Sequence, residues 1–112
     1  MATSISVRQE GLLTVRVDQE GDSLLVRASG EIDIASAKML EEELRRALSC
    51  DASPIALDLA EVSFIDSTGL RVLLWAAERS RENGNHLRMR NGSAAVRRAI
   101  QVTGVERSLQ LT

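Results

Sequence analysis

The 112-residue chain carries sixteen acidic and fourteen basic side chains, a formal charge of -2, so it has no basic field with which to hold nucleic acid or an anionic membrane surface. Its length suits a single domain over residues 1–112 with a core that needs no disulfide, and the lone Cys50 and lone His86 supply neither an intrachain pair nor a metal site. No basic segment followed by an apolar run opens the chain, and no stretch approaches the ~18 apolar residues of a membrane span, which points to a cytoplasmic protein with no membrane partner and no cofactor.

In chain order, residues 12–17 and 23–29 alternate apolar and polar around Glu20-Gly21-Asp22, the turn chemistry of an antiparallel hairpin. The chain is therefore expected to open with this hairpin. Residues 7–11 and 17–21 share Gln-Glu-Gly, a match too short to argue a repeat. Residues 35–48 place Ala37, Leu40, Leu44, Ala47 and Leu48 at helical spacing, with Asp33 or Ser36 as cap. Glu41 stands four residues before Arg45 and Glu42 four before Arg46, a solvated face in which each pair contributes about 0.2–0.5 kcal/mol. Asp51, Ser53 and Pro54 break that pattern, and residues 55–59 form a short, mostly buried strand.

A second helix is predicted over residues 67–83 with Gly84 as its stop and Leu70, Leu73, Leu74 and Ala77 toward the core. Val72 and Trp75 fall away from that stripe at 100° per residue. Either another helix of the domain covers the only tryptophan or it anchors a partner, a role in which Trp is enriched. Residues 86–90 alternate as a strand with Leu87 and Met89 on one side and Arg88 and Arg90 on the other. Asn91-Gly92-Ser93 caps a third helix over residues 94–102, with Val96, Ala99 and Ile100 inward and Gly104 as its end, and residues 108–111 close the chain as a strand. The fold class is α/β, a mixed sheet with helices packed on it and an N-terminal hairpin.

The stretch from Val62 to Leu70 sets Ser67 and Thr68 between an apolar strand exit and the start of an amphipathic helix. Asp, Ser and Thr are favoured there as caps, and the same unpaired N–H groups receive anionic oxygens, so on spacing alone a plain cap and a modifiable hydroxyl stand level. Gly69 lets a partner approach closely or serves the turn, and Asp66 orients the hydroxyl or caps the helix. Hydrolysis through a Ser67 nucleophile lacks its equipment: there is no Gly-x-Ser-x-Gly elbow and no histidine relay. Phosphate-binding Gly-rich loops are absent too.

With this layout the chain resembles a STAS domain, in particular the stand-alone bacterial anti-sigma factor antagonists. Gly30-Glu31-Ile32-Asp33 resembles the turn before that family's first helix, Leu57-Asp58-Leu59 through Asp66-Ser67-Thr68-Gly69-Leu70 its signature strand and switch loop, and Ser93-Ala94-Ala95-Val96-Arg97-Arg98 its third helix. The resemblance implies a non-enzymatic binding protein whose unmodified form captures an anti-sigma factor serine kinase and frees a sigma factor. It implies Ser67 as the phosphoacceptor, a PP2C-type phosphatase that resets it, and Asp33 in the docking surface beside Asp66, Ser67, Thr68 and Gly69. Trp75 joins that partner-binding set on periodicity alone. The alternative is a STAS scaffold module in a stress-signalling or transporter-associated complex. Many members carry a further C-terminal helix, whereas this sequence stops at Thr112; a less covered sheet predicts pairing with another chain, as in a homodimer.

Overall fold

The computed structural model describes residues 2–84, 86–109 and 111. Strands β1 (Thr3–Glu10), β2 (Leu13–Glu20), β3 (Ser23–Ile32), β4 (Ile55–Ile65) and β5 (Leu87–Arg90) lie side by side in sequence order. β1, β2 and β3 form an antiparallel meander, and β3, β4 and β5 run parallel. Parallel neighbours require crossovers, supplied by α1 (Ala37–Ser49) and α2 (Ser67–Asn83). Both crossovers step the same way across the sheet, so their right-handed sense puts the two helices on one face, where they touch. α3 (Ala94–Thr103) follows β5 and packs against β4, burying Val96 and Ile100.

Register explains the two faces. Val17, Val26, Leu57 and Met89 are cross-strand partners in one row and all are buried. The next row, Val7, Arg16, Arg27, Asp58 and Arg90, lies on the opposite side, with its arginines exposed. Period-two alternation thus divides a helix-covered apolar face from a charged one. No helix among the described residues is long and apolar enough to cross a membrane.

The predicted hairpin is present as β2 and β3, but another strand precedes it. β1 escaped prediction because its alternation is inverted: Ile5 and Val7 are exposed, while Ser6 and Arg8 turn toward α1. What they meet there is Glu43, only 2% exposed despite its charge. Ser6 Oγ donates to Glu43 Oε1 at 3.0 Å, and Arg8 Nη1 and Arg46 Nη1 each reach Oε2 at 3.1 Å. The Glu41–Arg45 pair forms as expected at 3.5 Å. The Glu42–Arg46 pair does not, because Arg46 turns to Glu43 and Glu42 takes Arg8 at 3.2 Å. The Gln-Glu-Gly echo, too short to argue a repeat, marks two successive hairpin turns, with Gly11 and Gly21 at φ of 58° and 60°.

α2 has the predicted bounds and ends on left-handed Gly84. Its buried side differs: Gly69, Leu70, Val72, Leu73, Ala76 and Ser80 are buried, while Leu74 and Ala77 are half-covered. A single 3.6-residue stripe describes a helix packed on one surface, whereas α2 meets both the sheet and α1, which brings Val72 inside. β4 runs six residues past the predicted strand end, to Ile65. The closing strand expected over residues 108–111 is reduced to a single bridge from Leu111 to Met89, and Gln110 and Thr112 lie outside the described residues. Cys50 is exposed at the end of α1, and His86 precedes β5 with a positive φ of 54°.

Candidate functional site

Two loops 33 residues apart in sequence are joined by strand register. Ile32 and Ile65 are partners at the ends of parallel β3 and β4, and the Asp66 N–H donates to the Ile32 carbonyl at 3.1 Å. Asp33 and Asp66, the next residues along, therefore leave the sheet side by side and lead into α1 and α2 respectively. The carboxyl ends of parallel strands are where such folds usually place their sites.

Each aspartate organises the start of its helix. Asp66 is the N-cap of α2: its Oδ1 accepts from Gly69 N–H at 3.0 Å and its carbonyl from Leu70 N–H at 3.0 Å. Asp33 Oδ1 accepts from the N–H groups of Ala35 and Ser36 at 3.0 and 3.1 Å, and its carbonyl from Ala37 N–H at 2.8 Å. Ser36 stands at the N-cap position of α1 but makes no side-chain cap bond. Its buried hydroxyl instead lies 3.1 Å from Asp33 Oδ1 and 3.0 Å from the Glu31 carbonyl, and accepts from Asp33 N–H. Asp33 and Asp66 thus act as the caps, Ser36 supports the first turn through Asp33 and Glu31 instead, and the Asp66 N–H bond to Ile32 joins the two loops.

Ser67, the first residue of α2, is exposed, and Thr68 is half-buried beside it. Gly69 is buried and faces inward. A Cβ there would sit 2.7 Å from both Ile32 Cγ2 and Ile65 Cγ1, so its missing side chain lets α2 start directly over the strand ends. The absent side chain of Gly69 thus points onto Ile32 and Ile65, which brings the start of α2 and Ser67 close to the sheet.

Two residues that sequence reasoning passed over complete the surface. Ile34, directly after Asp33, is 80% exposed, and Phe64, two residues before Asp66 and opposite Glu31 on β3, is 47% exposed. An apolar residue inside a capping turn was the available signal for Ile34. Phe64, the chain's only phenylalanine, faces outward near the end of β4, beside exposed Ser63. Trp75 stands two turns along α2 from Ser67, half-buried, with the Arg45 guanidinium of α1 4.6 Å from its ring centroid. Another helix of the same domain does cover it, in part. Ile34, Ala37, Lys38, Thr68, Arg71 and Trp75 line a groove between α1 and α2 that begins beside the switch loop. Among the described residues, no group of His, Cys, Asp and Glu is placed to hold a metal ion.

The ends of the parallel strands in this mixed sheet thus carry an exposed serine directly after a helix cap, with Ile34 and Phe64 also exposed. Residues 14–112 match the STAS domain family, and the chain belongs to it. It is 32% identical over 94 residues to the anti-sigma-B factor antagonist of Bacillus subtilis (strain 168), an alignment covering 84% of this chain and 85% of that protein. The crystal structure of an anti-sigma factor antagonist from Mycobacterium paratuberculosis matches with a TM-score of 0.75 at 29% identity, over 88% of this chain and 84% of that one. SpoIIAA in its unphosphorylated form shares the fold, with a TM-score of 0.71 at 18% identity over 88% and 87% of the two chains.

Proposed function

We propose that this chain is a cytoplasmic anti-sigma factor antagonist whose unmodified form binds an anti-sigma factor serine kinase and so releases a sigma factor. The kinase transfers the γ-phosphoryl group of ATP to Ser67 Oγ, which switches binding off, and a PP2C-type phosphatase restores it. The observation that carries the reading is the exposed Ser67 hydroxyl between the Asp33 and Asp66 caps, beside outward-facing Ile34 and Phe64. Apolar side chains around a hydroxyl suit a protein partner that covers it on binding.

Phosphate adds about -1.5 to -2 charges and three acceptor oxygens. On the solvent side of a helix start this leaves the fold intact, so the effect falls on the interface. Burying the phosphate under a partner unpaired costs several kcal/mol, and at about 1.4 kcal/mol per factor of ten the affinity falls roughly 100-fold or more. Self-association through the exposed part of the sheet belongs to the same proposal, and sedimentation that shows monomer alone at high concentration dismisses it.

The test is incubation with a panel of anti-sigma factor serine kinases and ATP, mapping phosphate by mass spectrometry in wild type, Ser67→Ala and Thr68→Ala. Phosphate is expected on Ser67, with kinase binding kept by Ser67→Ala and lost by the phosphoprotein. Stable kinase binding without transfer would instead support a scaffold.

A further inference from the structure

Ser67 opens α2 and Arg71 stands four residues along it, the spacing at which helix side chains lie one above the other with Cβ atoms about 5–6 Å apart. Both residues are exposed. Among the described residues neither the Arg71 guanidinium nor the Lys38 ammonium has an ion-pair partner, whereas Arg45 is held by Glu41. Glu41, the one acidic residue lining the groove, is therefore already engaged.

Asp66 takes the Gly69 N–H through its carboxylate and the Leu70 N–H through its carbonyl, and that carboxylate, one residue from Ser67, works against a second anion at the helix start. Arg71 is placed to supply a compensating cation. We propose that Arg71 is the intramolecular receptor for the Ser67 phosphate, pairing its guanidinium fork with two phosphate oxygens. The inference rests on Ser67 being the modified residue. An anion followed by a cation four residues later is the favoured order on a helix, and the fork geometry suits phosphate. Arg71 also lines the groove with Thr68, Val72 and Trp75. Its capture carries the modification from Ser67 to the α1–α2 surface.

The charged groups at this end of α2 are Asp66 and Arg71 on the helix, Lys38 and Glu41 from α1, and Asp33 in the turn before α1. To test the assignment, phosphoserine is incorporated at position 67 during translation of the full chain, which requires no kinase. The second ionisation of its phosphate is followed by phosphorus NMR in an otherwise wild-type chain and in Arg71→Gln, Arg71→Lys and Lys38→Gln backgrounds, with circular dichroism confirming the fold. The ionisation is expected about 0.15–0.4 pH unit lower with Arg71 than with Gln, the size of an i,i+4 ion pair on a helix. Arg71→Lys should fall between them, Lys38→Gln should stay near wild type, and the difference should shrink in 1 M salt. Coincident titrations for Arg71 and Gln, or an equal shift from Lys38→Gln, would overturn the assignment. Because no kinase is involved, that failure is separate from a failure to find phosphate on Ser67 in the kinase panel.

Discussion

Gly69 shows how much depends on one missing methyl group. An added Cβ would lie 2.7 Å from Ile32 and Ile65, and overpacking of this kind costs about 1–3 kcal/mol, partly offset by the roughly 1 kcal/mol by which Ala outranks Gly inside a helix. Gly69→Ala should therefore lower the urea midpoint of unfolding, whereas Ser67→Ala at the exposed neighbouring position should leave it unchanged. Gly30 is less forgiving. It sits at φ of 104°, where a Cβ would lie 1.9 Å from the Leu12 carbonyl oxygen, an immovable backbone atom. Gly30→Ala should lose more stability than Gly69→Ala in the same denaturant series. At this scale the sequence left Gly69 open between partner access and turn geometry. The structure adds that its absent side chain points onto Ile32 and Ile65; nothing local to Asp-Ser-Thr-Gly says which neighbours lie beneath it.

At the scale of elements, β1 pairs with β2 along its length and is tied to α1 by polar side chains. Its Ser6 and Arg8 converge on buried Glu43, which Arg46 approaches from the helix itself. The hydrogen bond with Glu43 holds the Arg8 guanidinium above its ordinary value, as do the charges of Glu43 and Glu42, with burial opposing them. For a base raised on folding, the stabilisation is fully present below the ordinary value and is lost only as pH rises through the higher one. It therefore persists across the neutral range. Arg8→Ala should speed amide hydrogen exchange along Thr3–Glu10 while exchange in β4 stays slow, since β4 is central and β1 is an edge. Uniform acceleration through the sheet would show that β1 is not a separately anchored element. α2, by contrast, was legible to the residue, because Asp66 is a strong local start signal, Gly84 a strong stop signal, and no proline lies between them.

For the molecule as a whole, α1 and α2 share one face of the sheet, and Trp75 stands between them against Arg45. The chain has one tryptophan and no tyrosine, so its intrinsic fluorescence reports this helix–helix seam. Arg45→Ala should shift Trp75 emission with little change in melting temperature, as an exposed cation–π contact contributes only about 0.5–1 kcal/mol. An unchanged spectrum would mean that Arg45 does not rest on the ring in solution. The sequence by itself determined the α/β class, the bounds of α2, the third helix and the Asp66 cap, because each is written in spacing, caps and breakers within some ten residues. The tertiary structure alone decided that Ile32 pairs with Ile65 and so sets Asp33 beside Asp66, that β1 turns its polar side inward, and that Arg71 has no ion-pair partner among the described residues. Each of these depends on a residue far away in the chain, and periodicity reports which face of an element is buried without naming what buries it.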